Sequence, residues 1–105
     1  MPLTVIALLY AGDGGMEALT AFEAEVLPII ADHDGRLEKA FAPDLGLSAF
    51  DDPPDEVHIL AFPSASAFDE YRADPRHGQL AAARARAIRK TLVVAADQMK
   101  AYAAR

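Results

Sequence analysis

The chain contains no cysteine and no tryptophan. Without a thiol there is neither a disulfide to staple the fold nor a thiolate to act as nucleophile or metal ligand. Long apolar runs are missing too. The stretch from Leu3 to Ala11 falls far short of the about 20 residues that cross a bilayer, so no membrane partner is expected. It has no basic residues ahead of it and does not read as a secretory signal, which makes the cytoplasm the expected compartment. Basic residues are scarce for two thirds of the chain: Met1 to Glu70 carries fourteen acidic residues and two basic ones, and Tyr71 to Arg105 reverses this with two and eight. A net charge of −6 argues against general nucleic-acid binding. The basic last third reads most simply as a solvated helix face. The sharper alternative is a local anion site, or a surface that complements an acidic partner.

What is present is enough apolar material for one core. With 105 residues, 52% of them apolar, the chain is expected to form one domain over residues 1–105. Leu3 to Tyr10 is β-branched and apolar on both alternating faces, the pattern of a central strand. Glycines 12, 14 and 15 break it. Leu19, Phe22, Val26, Ile29 and Ile30 then recur at helical spacing, predicting a helix over about 15–33 with Glu17, Glu23, Glu25 and Asp32 on its other faces. Pro28 lies inside this helix and should kink it, and Gly35 suits the C′ position that ends it.

Arg36 to Phe41 alternates as a second strand. A loop with four proline and glycine residues follows over 43–54, holding Leu45, Leu47 and Phe50. Val57 to Phe62 is the third strand. Ser64 and Ser66 are candidate N-caps, and Ser66 with Asp69 resembles a capping box. A short helix runs to about Arg72, Asp74 and Pro75 interrupt it, and a second piece covers about 76–87. Thr91 to Ala96 is the last strand, and residues 97–105 form a tail in which Asp97 could cap a short helix. The order is βαββαβ, a ferredoxin-like α+β fold with a four-stranded antiparallel sheet.

Two helices cover one face of such a sheet. Strands one, three and four nevertheless carry apolar residues on both alternating sets, so a second face is left that pairing with another copy would bury. The expected partner is therefore the chain itself, as a homodimer.

The string from Val57 to Ser64 (VHILAFPS), followed by Phe68, Tyr71, Asp74, Pro75, Leu80, Arg84 and the run Leu92 to Val94, resembles the DUF1330 family of the dimeric α+β barrel superfamily. His33 to Arg36 (HDGR) is similar to that family's His-Gly-Gly-Arg turn, with Asp34 where glycine is usual. The resemblance spans about residues 3–96. It implies a dimer whose two sheets form a barrel, and it implies no particular reaction, because the superfamily includes cofactor-free monooxygenases, haem-degrading enzymes, isomerases and ligand-sensing domains.

Among residues able to carry chemistry, His58 interrupts an otherwise apolar strand. If Leu37 and Phe41 face the helices with Val57, Ile59 and Ala61, then Arg36 and Glu38 share the barrel face with His58, Leu60 and Phe62. His58, Arg36 and Glu38 are then the candidate catalytic group, with histidine as proton acceptor near neutral pH. The plain account of the same three is a satisfied ion-pair network. Tyr10, Tyr71, Arg72 and His77 are candidate ligand contacts around a small organic molecule, Arg72 or Arg36 holding an anionic group. Phe22, Phe62 and Phe68 are expected in the core. The structural role is favoured for His33, at a helix end where a cation is welcome.

No cofactor is expected. The histidines are far apart, without an HExxH pair, and residues 51–56 lack the spacing of a calcium loop, so no metal is expected either. Haem on His58 or His77 is the one cofactor option worth testing, although the missing tryptophan counts against relatives that use one beside haem. The function expected is cofactor-independent oxygenation or isomerisation of a small organic compound; the alternative is a non-catalytic sensing or partner-binding dimer.

Overall fold

The structure, a computed structural model, describes residues 1–102. Its elements are β1 (Leu3–Ala11), α1 (Gly15–Asp32), β2 (Arg36–Phe41), β3 (Glu56–Phe62), α2 (Ala65–Arg72), α3 (Arg76–Gln79), α4 (Ala81–Ala87) and β4 (Ile88–Ala96). The strands form one antiparallel sheet in the order β2-β3-β1-β4. This is the ferredoxin-like α+β fold that the element order predicts. Among the described residues no helix is long and apolar enough to cross a membrane.

The apolar stripe of α1 decides how the layers meet. Leu19, Phe22, Val26 and Ile30 pack onto Leu3, Val5, Ala7 and Leu9 of β1 and onto Leu60 and Phe62 of β3. Fully burying side chains of this size contributes roughly 1.5–3 kcal/mol each. The start of α1 has no side-chain cap. Instead the amides of Gly12 and Gly14 donate to the carbonyls of Ala87 and Arg86 at the end of α4, at 2.8 and 2.9 Å. A Cβ at Gly12 would meet the Arg86 carbonyl oxygen at 2.7 Å, so this approach needs a glycine.

Several local expectations change. The helix itself is as predicted, running to Asp32 with the exposed Pro28 inside it. It ends with Asp34, not Gly35, in the left-handed region, at φ 61°, and the Gly35 amide returns to the Ile30 carbonyl at 2.9 Å. Gly35 is needed for a different reason: a Cβ there would stand 2.5 Å from the Phe62 ring. Ser64 caps α2 by accepting from the Ala67 amide at 3.1 Å, while Asp69 pairs with Arg72 rather than forming a box with Ser66. The second helical piece breaks at Leu80 into α3 and α4.

Residues 97–102 form no helix, consistent with nothing packing on Met99 or Tyr102, which are 98% and 79% exposed. The rest of the expected C-terminal helix lies outside the described residues.

The largest correction concerns which residues share a face. Directly opposed residues on neighbouring strands point the same way. Leu3, Val5, Ala7 and Leu9 of β1 stand opposite Phe62, Leu60, His58 and Glu56 of β3. His58 therefore faces the helices along with Leu60 and Phe62, whose bulk fills the core, and Val57, Ile59 and Ala61 face away. On β2, Leu37 opposes Leu60 and Lys39 opposes Ile59. The irregularity at Glu38 behaves as a β-bulge and switches the alternation. Arg36, Phe41 and Lys39 end on the sheet face opposite to His58.

The α1–α2 corner is tied by charge. Asp74 accepts from His33 at 2.8 Å and from Arg76, and Arg76 reaches Asp32 at 2.7 Å. These hydrogen bonds hold the Asp74 carboxyl well below the usual carboxylate range, Arg76 contributing most. His33 thus has the structural role expected of it.

Candidate functional site

Between the sheet and the helices lies a cleft of about 360 Å³, within the range of small-ligand sites. Val5, Ala7 and Leu9 form its floor, with Phe22, Val26 and Ile30 of α1 along one wall and Phe68 and Tyr71 of α2 along another. Its polar lining is Glu23, His58, Arg72, His77, Arg84 and Thr91.

Of the seven candidate residues, the fold brings together His58, Tyr71, Arg72 and His77. Arg36 and Glu38 are not among them. They pair with each other at 3.6 Å on an edge strand, with 73% and 40% of their side chains exposed. Tyr10 is buried but lies away from the cleft. Its hydroxyl donates to the Asp52 carbonyl at 3.0 Å, and Arg89 and Lys90 sit over its ring. Tyr10 thereby anchors the 42–55 loop, aided by ion pairs of Asp52 with Arg89 (2.7 Å) and Lys90 (2.8 Å). Those hydrogen bonds pull the Asp52 carboxyl down to about 2.

His58 is 4% exposed. A polar ring so buried needs partners, and it has two carboxylates. Its Nε2 is 2.7 Å from Glu56 Oε1 and its Nδ1 is 3.7 Å from Glu23 Oε2. A carboxylate only accepts, so Nε2 carries a hydrogen towards Glu56, and Nδ1 faces Glu23. The His77 Nε2 donates to the Tyr71 carbonyl at 2.9 Å, and its ring meets the Tyr71 ring edge-on at 4.8 Å. In both imidazoles Nε2 is thus committed to a protein oxygen, Glu56 for His58 and the Tyr71 carbonyl for His77. Among the described residues no three carboxylate or imidazole groups converge as a metal site.

The charges in the cleft tune one another. Burial pushes the Glu23 carboxyl up; the His58 ring opposes this, Glu56 adds to it and Arg84 opposes it. The Tyr71 phenol is pushed up to about 12, mostly by burial and further by Glu23. It stays protonated near neutrality and can donate a hydrogen bond.

Glu23 and Arg84 were the residues that sequence reasoning passed over. The sign for Glu23 was there: four residues after Leu19 and three before Val26, it lies on the apolar stripe rather than off it. Arg84 carried no such mark, since its position depends on how α4 crosses the sheet.

Comparison with known proteins adds the fold and little more. No protein-family model matches the chain, and no functionally curated protein does. Solved structures do match. A protein of unknown function from Rhodopseudomonas palustris, RPA0582, superposes with a TM-score of 0.78 at 22% identity, covering 95% of this chain and 84% of that one. A NIPSNAP family protein of unknown function from Agrobacterium tumefaciens gives 0.65 at 26% identity, covering 90% and 86%. SnoaB, a cofactor-independent oxygenase from Streptomyces nogalater, gives 0.62 at 15% identity, covering 95% and 94%. The likeness is one of architecture.

Proposed function

We propose that this chain is a DUF1330-like dimeric α+β barrel protein that binds a small organic molecule in the cleft and acts on it by proton transfer without a cofactor, in the manner of an isomerase or monooxygenase. The observation that carries the reading is His58, buried between two carboxylates at the wall of an otherwise apolar cleft. Burying titratable groups costs stability unless they are well paired, and such clusters in a cleft gather where proton chemistry is done. Arg72 remains the candidate for an anionic group at the cleft, whereas Arg36 lies on the opposite face of the sheet and does not line it. A neighbour of the same fold that is a cofactor-independent oxygenase makes chemistry without a cofactor a reasonable expectation for such a cleft.

The partner proposed is a second copy, placed against the uncovered sheet face. Ile6, Leu8, Val57 and Ile59 are only partly covered there, and Phe41, Leu92 and Val94 are 47%, 46% and 58% exposed. Light scattering at micromolar concentration should give twice the 11.2 kDa chain mass; the single mass would end the dimer reading.

The ligand reading is tested by methyl NMR during a screen of small aromatic acids and ketones. Binders should move the Val5, Val26 and Ile30 methyl signals, and turnover of any binder should fall in His58→Ala. Binding that is tight yet never followed by turnover would favour the sensing module instead.

A further inference from the structure

We infer that Glu23 is the group that exchanges a proton with the bound molecule, that His58 is a positioning residue behind it, and that Arg84 receives the oxygen on which negative charge develops. The inference rests on the ligand reading of the cleft and goes beyond it by assigning the reacting atoms and the substrate class.

The argument begins with the histidine. Its Nε2 is committed to Glu56 at 2.7 Å, and its Nδ1 is directed at Glu23. Glu56 is not part of the cleft lining, whereas Glu23 is. The three groups thus form a row from Glu56 through His58 to Glu23, and only the last of the three has a carboxylate in the cleft. The 3.7 Å separation from Nδ1 is longer than a hydrogen bond, so Glu23 is not consumed by the contact. Every charged or titratable neighbour that acts on it is accounted for: His58 and Glu56 on β3, Arg84 on α4 and, as a group it acts on, Tyr71 on α2. Burial dominates, which suits a general base poised above the ordinary range of a glutamate.

Arg84 completes the arrangement. Among the described residues its one side-chain hydrogen bond is a long one to the Thr91 hydroxyl, 3.4 Å, and none of their carboxylates pairs with it. Arg72, by contrast, is already paired with Asp69. A guanidinium left open beside an apolar cleft fits an oxyanion that forms during reaction. The substrate class is then a compact, largely apolar molecule with an acidic C–H or O–H conjugated to an oxygen. The bond to hydrogen breaks, the proton goes to a Glu23 oxygen, and the electron pair moves through the conjugated system to the oxygen facing Arg84.

The probe is 5-nitrobenzisoxazole, small enough for the cleft and requiring no other reactant. Removal of its C3 proton forms the nitrile as the N–O bond breaks, releasing a coloured phenolate. Wild type should exceed acetate at equal carboxylate concentration, with a rate that rises through a midpoint above that of an ordinary glutamate. Glu23→Gln, close in shape, should lose on the order of 100-fold, the usual scale for removing a general base. His58→Asn and Arg84→Gln should each lower the rate, but less than Glu23→Gln does, and each should move the midpoint up, because both groups oppose the upward shift of the Glu23 carboxyl.

The reverse pattern, His58→Asn inactive and Glu23→Gln active, would overturn the assignment. So would binding of the probe, seen in the Val5 and Val26 methyl signals, without turnover; the ligand reading would then survive alone. Methyl signals that no probe or screened compound moves would remove both.

Discussion

The two faces of the sheet are built from similar residues and meet different ends. On one, Val5, Leu9, Leu60 and Phe62 are covered by α1 and α2, and that cover opens at the cleft that holds Glu23 and His58. On the other, Leu92 and Val94 stay about half exposed, and only the Tyr10 end is roofed, by the 42–55 loop. Apolar surface alone therefore does not distinguish the side of this sheet that carries the candidate site. What marks it is polar groups accepted into the covered side, where water cannot pay for them and each must find a partner.

The contrast predicts unequal responses to similar substitutions. Leu19→Ala, at a position with no exposure, should cost about 2–5 kcal/mol in urea unfolding. Leu92→Ala on the other face should cost far less at low protein concentration, and any larger loss should grow with concentration as a dimer forms. Equal losses at all concentrations would erase the distinction between the faces.

Gly35→Ala comes next. The added methyl must displace the Phe62 ring or Ile30, and overpacking of this kind costs about 1–3 kcal/mol. Since Phe62 also packs on Tyr71 at 5.4 Å between ring centres, the Tyr71 ring signals should shift in the same variant.

Glu23→Gln should stabilise the fold at neutral pH by roughly 1 kcal/mol, the common scale when a strained site is relieved. The sign follows from the direction of the shift. A carboxyl raised by burial favours the folded state while protonated, so its contribution is full below its unfolded value of 4.5 and is lost as pH rises through the higher folded value. The advantage of the variant should accordingly vanish in acid. A variant less stable at pH 7 would show that Glu23 is held by its neighbours more than it is penalised by burial.

The smallest effect belongs to the loop. Asp52 is held down to about 2, so its contribution is present above its unfolded value of 3.8 and disappears as pH falls through about 2. Protease cleavage within residues 42–55 should rise in that acid window, or at neutral pH in Asp52→Asn, with no change in cleavage elsewhere.

The elements themselves were legible. The periodicity of Leu19 to Ile30, the β-branched Leu3 to Tyr10, and the Asp74–Pro75 interruption each act over a few residues, and the structure places them within a few residues of where the spacing does. The antiparallel ferredoxin-like order followed from their sequence. Of the site, His58, Tyr71, Arg72 and His77 were found because their residue types stand out from their surroundings. Arg36 and Glu38 were grouped with His58 wrongly, since a bulge at Glu38 is invisible in a six-residue alternating strand. The choice of face for β3 was equally hidden, because Val57, Ile59 and Ala61 are as apolar as Leu60 and Phe62.

Local spacing and turn chemistry thus determined which segments are helix or strand and in what order, as those preferences arise between near neighbours in the chain. Which way each strand faces, and therefore which carboxylates meet His58, was decided only by tertiary packing. Phe62 and Leu60 fill the space under α1 and α2, a one-residue shift would turn them out into water, and His58 has to follow them inward to Glu23 and Glu56.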